Sequence, residues 1–256
     1  MKQVSAGDAG RLQKAILTMH SHCDLEGFRR AVAHVFMDLI PADYFSLGDA
    51  RIDVEKRSFQ ILNIWESRPV RVGKLLEALE RNMFEHPFTR HVLRHGPDGA
   101  LILSDFLTLP QLRRTRLYRE ALRPANMGRL LSICSMSGPG LATLSLVRPE
   151  SEPDFTERDR SMMELLQPHF DLARINIERE SLSRANRTRS LKGAGMTPRE
   201  IEVALWLAQG KTNPEIAVIL ATPARTIEKH IERILHKLGV TNRVAAAVAI
   251  AGIIRA

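Results

Sequence analysis

Residues 222–238 read TPARTIEKHIERILHKL, and this stretch decides the fold of the C-terminal part of the chain. Thr222 is predicted to cap a helix, and Pro223 to take the first helical position, where its missing N–H costs nothing. Apolar side chains then recur every three or four residues, which predicts one side in a core: Ile227, Ile231, Ile234, Leu235 and Leu238. At about 100° per residue, the opposite side carries long charged side chains: Arg225, Lys229, Glu232 and His236. Such a helix fits a DNA major groove, although an ordinary surface helix shows the same pattern.

Two further helices are predicted immediately before this stretch. Thr197-Pro198-Arg199-Glu200 is a capping box with proline at the first helical position, and Gly210 closes that helix. Asn213-Pro214-Glu215 is predicted to cap a short second helix, and a tight turn at 221–223 leads into the third. This succession has the spacing of a helix-turn-helix unit. A fourth segment, 243–254, is apolar and rich in small residues, and we expect it to form a packing or dimer surface through four side chains: Val244, Ala247, Val248 and Ala251.

The C-terminal quarter of the chain resembles the LuxR-type helix-turn-helix family. The residues that carry the resemblance are Met196–Glu200, Gly210, Asn213, Glu215–Ala217, Thr226, Ile227, His230, Lys237, Leu238, Val240 and Arg243. The resemblance implies a four-helix DNA-binding domain over 196–256 whose third helix reads the groove and whose fourth pairs two subunits. Glu228 and Glu232 depart from the family, which usually carries basic or polar residues there. Because glutamate can accept from the N4 amine of cytosine, we interpret the pair as tuning sequence preference, with a solvent-facing role for one of them as the alternative.

Candidate DNA contacts follow from this arrangement. The expected base contacts are Arg225, Glu228, Lys229 and Glu232. Thr226, His230, Arg233 and Lys237 are expected to hold phosphates or the helix itself, and His230 could equally be a packed structural residue.

The net charge of +8 is unevenly distributed along the chain. Residues 196–256 contain eight Lys and Arg residues and five Glu residues. Residues 184–195 add four cationic side chains and no acid. A basic excess concentrated next to a helix-turn-helix pattern indicates double-stranded DNA as the partner.

Residues 1–183 are predicted to form an α+β domain with an antiparallel sheet flanked by helices. Strands are expected near 44–52, 58–65, 101–103, 130–136 and 141–147, an arginine-rich helix at 110–122, and a closing helix over 154–187. This order resembles a GAF- or PAS-like sensor domain. Stretches such as His86-Pro87 and Asp154–Arg160 resemble, more weakly, the N-terminal half of many one-component LuxR-type regulators. The expected domains are therefore a sensor domain over 1–183, a basic flexible linker over 184–195 and the DNA-binding domain over 196–256.

A small-molecule effector is expected between the sheet and the helices of residues 71–95. Its candidate lining residues, each of which is also an ordinary core residue, are Phe45, Trp65, Phe84, Phe88, Cys134 and Met136. The acyl-homoserine-lactone receptors of the family show a Trp/Tyr cluster ahead of an Asp-Pro. Since no tyrosine closely follows Trp65, a lactone ligand is disfavoured.

Other classes of protein find little support in the sequence. There is no phosphate loop, no nucleophile elbow and no complete metal-ligand set, so we expect neither catalysis nor a cofactor nor a metal. No apolar stretch is long enough to span a bilayer, and two distant cysteines favour a reducing cytoplasm. The sequence thus predicts a cytoplasmic, homodimeric one-component transcriptional regulator. A regulator whose helix-turn-helix contacts a protein partner, and an enzyme with a DNA-tethering tail, remain the alternatives.

Overall fold

The computed structural model describes residues 6–22, 24–68, 72–137 and 140–255, with side chains except at 6, 72–74, 136–137 and 255. Cys23 and the predicted hairpin turn at Gly138-Pro139 therefore lie outside the described residues. The chain divides into two compact units, Met1–Ile177 and Glu178–Ala256.

The first unit is built on a five-stranded sheet in the order β2-β1-β5-β4-β3, with every neighbouring pair antiparallel. The strands are β1 (Tyr44–Asp53), β2 (Ser58–Glu66), β3 (Ala100–Ile102), β4 (Arg129–Ser137) and β5 (Gly140–Arg148). The prediction of an antiparallel α+β unit is confirmed.

Helices cover both faces of this sheet. The helices of the unit are α1 (Ala6–His20), α2 (Leu25–Leu39), α3 (Val72–Asn82), α4 (Pro87–His95), α5 (Leu109–Arg113) and the part of α6 (Glu157–Gly193) that ends at Ile177. Successive strand side chains point to opposite faces, so each strand supplies two cores. Phe45, Leu131 and Leu144 belong to the core shared with α1, α2 and α6. Tyr44 and Leu130 belong to the core shared with α3, α4 and α5.

The predicted arginine-rich helix over 110–122 is broken in the structure. Leu109–Arg113 forms an α-helix that ends before a break at 114–115, and Tyr118–Leu122 forms a separate π-helical turn. Thr115 lies at the break, where its hydroxyl donates to the Leu112 carbonyl at 2.7 Å and accepts from the Tyr118 N–H at 3.1 Å. A threonine side chain that bonds to the local backbone in this way competes with the helical ladder.

Helix α6 is longer than predicted. It begins after Thr156, whose hydroxyl accepts from the Asp159 N–H at 3.2 Å, and it continues to Gly193 instead of ending at Arg187. The expected flexible linker is therefore helical over most of its length. The N-terminal part of α6 contributes Met162, Leu166 and Phe170 to the core of the first unit.

The second unit is helical and has one core. Beyond the end of α6 its helices are α7 (Pro198–Ala208), α8 (Asn213–Ile219), α9 (Ala224–Leu238) and α10 (Arg243–Arg255). Its fully buried side chains are Leu191, Val203, Ala204, Leu207, Ile216, Ile227, Ile234, Ala246 and Ile250. The apolar stripe predicted for α9 thus lies in one core with side chains of α7, α8 and α10 and with Leu191 from the end of α6.

The helix caps are partly as predicted. The capping box of α7 is present, since the Thr197 N–H donates to Glu200 Oε2 at 2.8 Å. The cap of α8 lies one residue earlier than predicted, at Thr212, whose N–H donates to Glu215 Oε2 at 2.7 Å. Helix α9 is preceded by Pro223, and Thr222 does not cap it because its hydroxyl donates to the Leu220 carbonyl at 2.9 Å.

Among the described helices, none has by itself both the length and the apolar composition needed to cross a membrane. The bent pair of residues 224–238 and 243–254, at an angle of 63°, meets these two criteria when its helices are taken together.

Candidate functional site

The outer face of α9 is a row of exposed side chains. Ile227, Ile231 and Ile234 hold the inner side of the helix in the core. The exposed side chains opposite them are Arg225, Glu228, Lys229, Glu232, Arg233 and His236. Within the described part of the chain, none of these six forms a hydrogen bond or ion pair through its side chain. Their donors and acceptors remain free for another molecule.

Charged side chains of α7, of the segment 209–219 and at the start of α10 have partners inside the second unit. Arg199 pairs with Glu202 within α7, and Lys211 Nζ lies 3.6 Å from Glu215 Oε1. Arg243 Nη1 donates to Asn213 Oδ1 at 2.8 Å and so ties α10 to the start of α8. The outer face of α9 differs from this pattern, which supports a binding role for it.

Lys237 holds α9 in place and does not extend the exposed row. Its Nζ donates to the Gly195 carbonyl at 2.8 Å and to Glu200 Oε2 at 2.6 Å. Burial of Glu200 acts to raise the pKa of its carboxyl group, but hydrogen bonds from Lys237 and Thr197 outweigh burial and lower that pKa to about 2. These contacts are the ones that the second of its two expected roles, holding the helix, requires.

Thr226 and His230 are half-buried on the flanks of α9. The Nδ1 atom of His230 is buried and has no hydrogen-bond partner among the described residues. His91 and His95 have ring centroids 4.9 Å apart, and the described residues contain no group of three or more His, Cys, Asp or Glu placed to hold an ion.

Helix α10 exposes an apolar face. Val244 and Val248 are 73% and 68% exposed, whereas Ala247 and Ala251 are half-buried. The inner side of the helix is fixed by Ala246 and Ile250, both fully buried. Two valines one turn apart on a free surface are available for contact with another chain.

A cavity of about 130 Å³ lies in the first unit, between the sheet and helices α3 and α4. A polar row crosses its floor over four strands, because Glu66 pairs with Ser46, Ser46 with Ser145, and Ser145 with Ser132. The hydroxyls of Ser132 and Ser145 are 2.8 Å apart. Apolar side chains from the helices line the opposite wall, among them Leu75, Leu79, Met83 and Phe88. This combination can enclose a small, mostly apolar molecule that carries hydrogen-bonding groups.

Two titratable side chains of the cavity are held neutral by burial. Burial lowers the pKa of His86 to about 4, and its Nδ1 accepts from the Phe88 N–H at 3.1 Å. The neutral ring therefore carries its proton on Nε2. Burial raises the pKa of the Cys134 thiol to about 12, so this thiol stays protonated. The Tyr44 hydroxyl donates a hydrogen bond to Glu66, so the cavity offers neutral hydroxyl, thiol and imidazole groups beside the carboxyl groups of Glu66 and Asp49.

Only part of the predicted lining faces this cavity. Phe88 and Cys134 line it, whereas Phe45 and Trp65 point to the opposite face of the sheet, with ring centroids 6.1 Å apart. Both lie one position away, along their strands, from residues that do face the cavity, Tyr44 and Glu66. Phe84 does not line it and lies under the guanidinium of Arg57, 5.5 Å from the ring centroid. The side chain of Met136 lies outside the described residues.

The sequence interpretation missed the polar floor of the cavity. Serines at every second position of apolar strands are a usable signal, since Ser132 and Cys134 on β4 and Thr143 and Ser145 on β5 point to one face. Ser132 and Ser145 meet because β4 and β5 are consecutive paired strands, whereas Ser46 joins them because β5 also pairs with β1, which is far away in the chain.

Comparison with known proteins connects the second unit to a family. Residues 194–250 match the family described as bacterial regulatory proteins, luxR family. The quorum sensing-dependent transcriptional regulator RpaR of Rhodopseudomonas palustris is 32% identical over 130 residues, which are 50% of this chain and 50% of that protein. The transcriptional activator YukR of Yersinia ruckeri is 33% identical over 87 residues, 34% of this chain and 38% of that protein. The chain thus spans half or less of the length of these relatives.

Solved structures give weaker similarities over longer stretches. SdiA of Escherichia coli is 20% identical with a TM-score of 0.43, covering 96% of this chain and 98% of that one. CepR2 of Burkholderia cenocepacia, described as an N-acylhomoserine-lactone-dependent LuxR family transcription factor, is 17% identical with a TM-score of 0.45, covering 66% of this chain and 93% of that one.

These findings confirm the resemblance that residues 196–243 carry. The matched proteins are transcriptional regulators, in agreement with the expectation that this chain is not an enzyme. The C-terminal part of the chain is a helix-turn-helix domain of the LuxR family of bacterial regulatory proteins.

Proposed function

We propose that this protein is a one-component transcriptional regulator that binds double-stranded DNA by inserting α9 into the major groove. The observation that carries the proposal is that the family match over 194–250 contains a helix whose exposed charged face has no partners among the described residues. Arg225, Glu228, Lys229 and Glu232 are the proposed base contacts. Arg233 holds phosphate, and Thr226 and His230 support the helix from its flanks.

The regulator acts as a homodimer in this proposal, with α10 as the interface. Val244 and Val248 supply the exposed contact, and Ala247 and Ala251 allow close approach of a second helix. A two-fold dimer places two α9 helices in successive major grooves, about one helical turn apart on an inverted repeat.

Residues 1–183 serve as a sensor domain of GAF- or PAS-like type, and 196–256 as the DNA-binding domain. Residues 184–195 join them, and α6 extends through this segment to Gly193. The cavity beside the Ser46–Ser145–Ser132 row is the proposed effector site, in which uncharged hydroxyl and imidazole groups select the ligand. Trp65 faces the other side of the sheet, so effector binding is followed by thermal shift of the whole protein and not by its fluorescence.

Genomic-fragment selection with the purified full-length protein, sequenced at two salt concentrations, tests the DNA-binding role. Enrichment of an inverted repeat, with affinity that falls steeply with salt, is the expected result, because each phosphate contact releases a counterion. If the protein enriches no sequence and shows no salt-dependent binding to duplex DNA, the proposal is overturned. A protein partner for α9 is then favoured.

A further inference from the structure

The outer face of α9 separates its charges into two parallel edges. At about 100° per residue, Arg225, Lys229 and Arg233 follow one edge at a spacing of four. Glu228 and Glu232 follow the neighbouring edge at the same spacing. The helix therefore presents a basic edge and an acidic edge side by side, both exposed.

The two acids are not neutralised by their neighbours. Glu228 lies three residues from Arg225, and Glu232 three from Lys229, yet neither pair forms an ion pair within the described residues. At the same spacing in α7, Arg199 and Glu202 do pair. The acceptor atoms of the acidic edge are thus free of partners among the described residues.

Free carboxylates on this face are unfavourable unless they bind something. Like charges four residues apart weaken a helix slightly, and carboxylates close to a duplex are repelled by its phosphates. In the major groove, however, cytosine presents the N4 amine as a donor, whereas guanine presents only acceptors. The two bases of one pair lie on opposite strands, so a G·C pair offers acceptors and a donor side by side.

We propose, on the basis of the DNA-binding function above, that Glu228 and Glu232 determine specificity by accepting from cytosine N4 amines. Arg225 and Lys229 donate to guanine O6 and N7 on the other strand. The ligand is a half-site of G·C pairs in a fixed orientation, with guanine under the basic edge and cytosine under the acidic edge. At a pair of the wrong orientation, or at thymine, each carboxylate meets an acceptor oxygen and is repelled.

Selection and anisotropy measurements on the full-length protein test this inference with Glu228→Gln and Glu232→Gln. Glutamine keeps the size of the side chain and removes the charge. In each variant the preference for cytosine at one position is expected to fall about tenfold, which is the usual contribution of one base contact to discrimination. Its affinity for random duplex should rise. Glu202→Gln is the matched control, because it removes an exposed acid from α7, and it should leave the selected motif unchanged.

The outcomes separate this inference from the function on which it rests. If both glutamine variants gain affinity equally for every sequence and select the wild-type motif, the acids face solvent and the inference is overturned, while the DNA-binding function stands. A wild-type motif without oriented G·C pairs overturns it as well. If the wild-type protein itself binds no DNA sequence specifically, the proposed function is contradicted. Melting curves of each variant, expected to match the wild type because both side chains are exposed, exclude misfolding as the cause.

Discussion

Replacing Lys237 by Met should destabilise the second unit without removing a DNA contact. The substitution keeps the length of the side chain but deletes the ammonium that bonds to Gly195 and Glu200. Glu200 then retains the Thr197 N–H at 2.8 Å but loses the cation that compensates its buried charge.

The magnitude follows from the exposure of the two partners. The Glu200 side chain is 3% exposed and the Lys237 side chain 30% exposed. Removing one partner of a fully buried ion pair costs about 3–5 kcal/mol, and a lost hydrogen bond to a charged group about 1.5–3 kcal/mol. Because water reaches the lysine end of this pair, we expect the lower part of the range, about 2–3 kcal/mol of unfolding free energy.

Urea unfolding followed by Trp206 fluorescence measures this loss. The chain has two tryptophans, one in each unit, so a Trp65→Phe background makes Trp206 the sole reporter of the second unit. Lys229→Met is the control on the same helix, since Lys229 is exposed and unpaired among the described residues, and its effect should stay within about 0.5 kcal/mol.

The pH dependence gives a second check on the same variant. The pKa of Glu200 is lowered to about 2 in the folded chain, so the stability that its ionised form contributes is complete above its ordinary pKa and is lost as the pH falls toward 2. The difference between wild type and Lys237→Met should therefore shrink between about pH 4.5 and 2. An equal unfolding midpoint for the two proteins at pH 7, or a difference that is independent of pH over this interval, would refute the reasoning.

Four further substitutions probe the DNA interface, the dimer and the cavity. Lys229→Ala should cost about 1–3 kcal/mol of specific binding and relax preference at one base pair in anisotropy titrations, whereas Arg233→Ala should weaken all sequences alike and reduce the salt slope by about one; identical profiles for the two would contradict their assigned roles. Val248→Glu places a charge on the exposed face of α10 and should halve the mass measured by light scattering, so an unchanged mass would exclude α10 as the interface. Ser145→Leu fills the polar floor of the cavity and should abolish the thermal shift caused by any compound that stabilises the wild-type chain, at a folding cost of about 1–3 kcal/mol; a retained shift would place the effector elsewhere.

Much of the fold could be predicted because its signals are local. The isoleucine spacing of α9 and the Thr197–Glu200 capping box each depend on residues within a few positions of one another, and both are present in the structure. The break at Thr115 was missed because a threonine in an arginine-rich helical pattern carries no sign that its hydroxyl bonds to Leu112 and Tyr118.

Tertiary contacts account for what the sequence could not supply. Nothing near Lys237 in the chain shows that it meets Gly195 and Glu200, about forty residues earlier. The face of the sheet to which Trp65 points depends on the alternation of side chains along β2, and a shift of one residue reverses it.

The end of α6 decides where the DNA-binding domain can be cut from the chain. Leu191 is fully buried in the core of the second unit, and its carbonyl accepts from the Met196 N–H at 3.2 Å. A fragment that begins at residue 194, where the family match starts, leaves behind a leucine whose loss opens a cavity costing about 2–5 kcal/mol. The free energy of unfolding of a helical domain of this size is only a few kcal/mol, about as large as this loss. Expression of the isolated domain, or its fusion to another sensor, should therefore begin no later than residue 184.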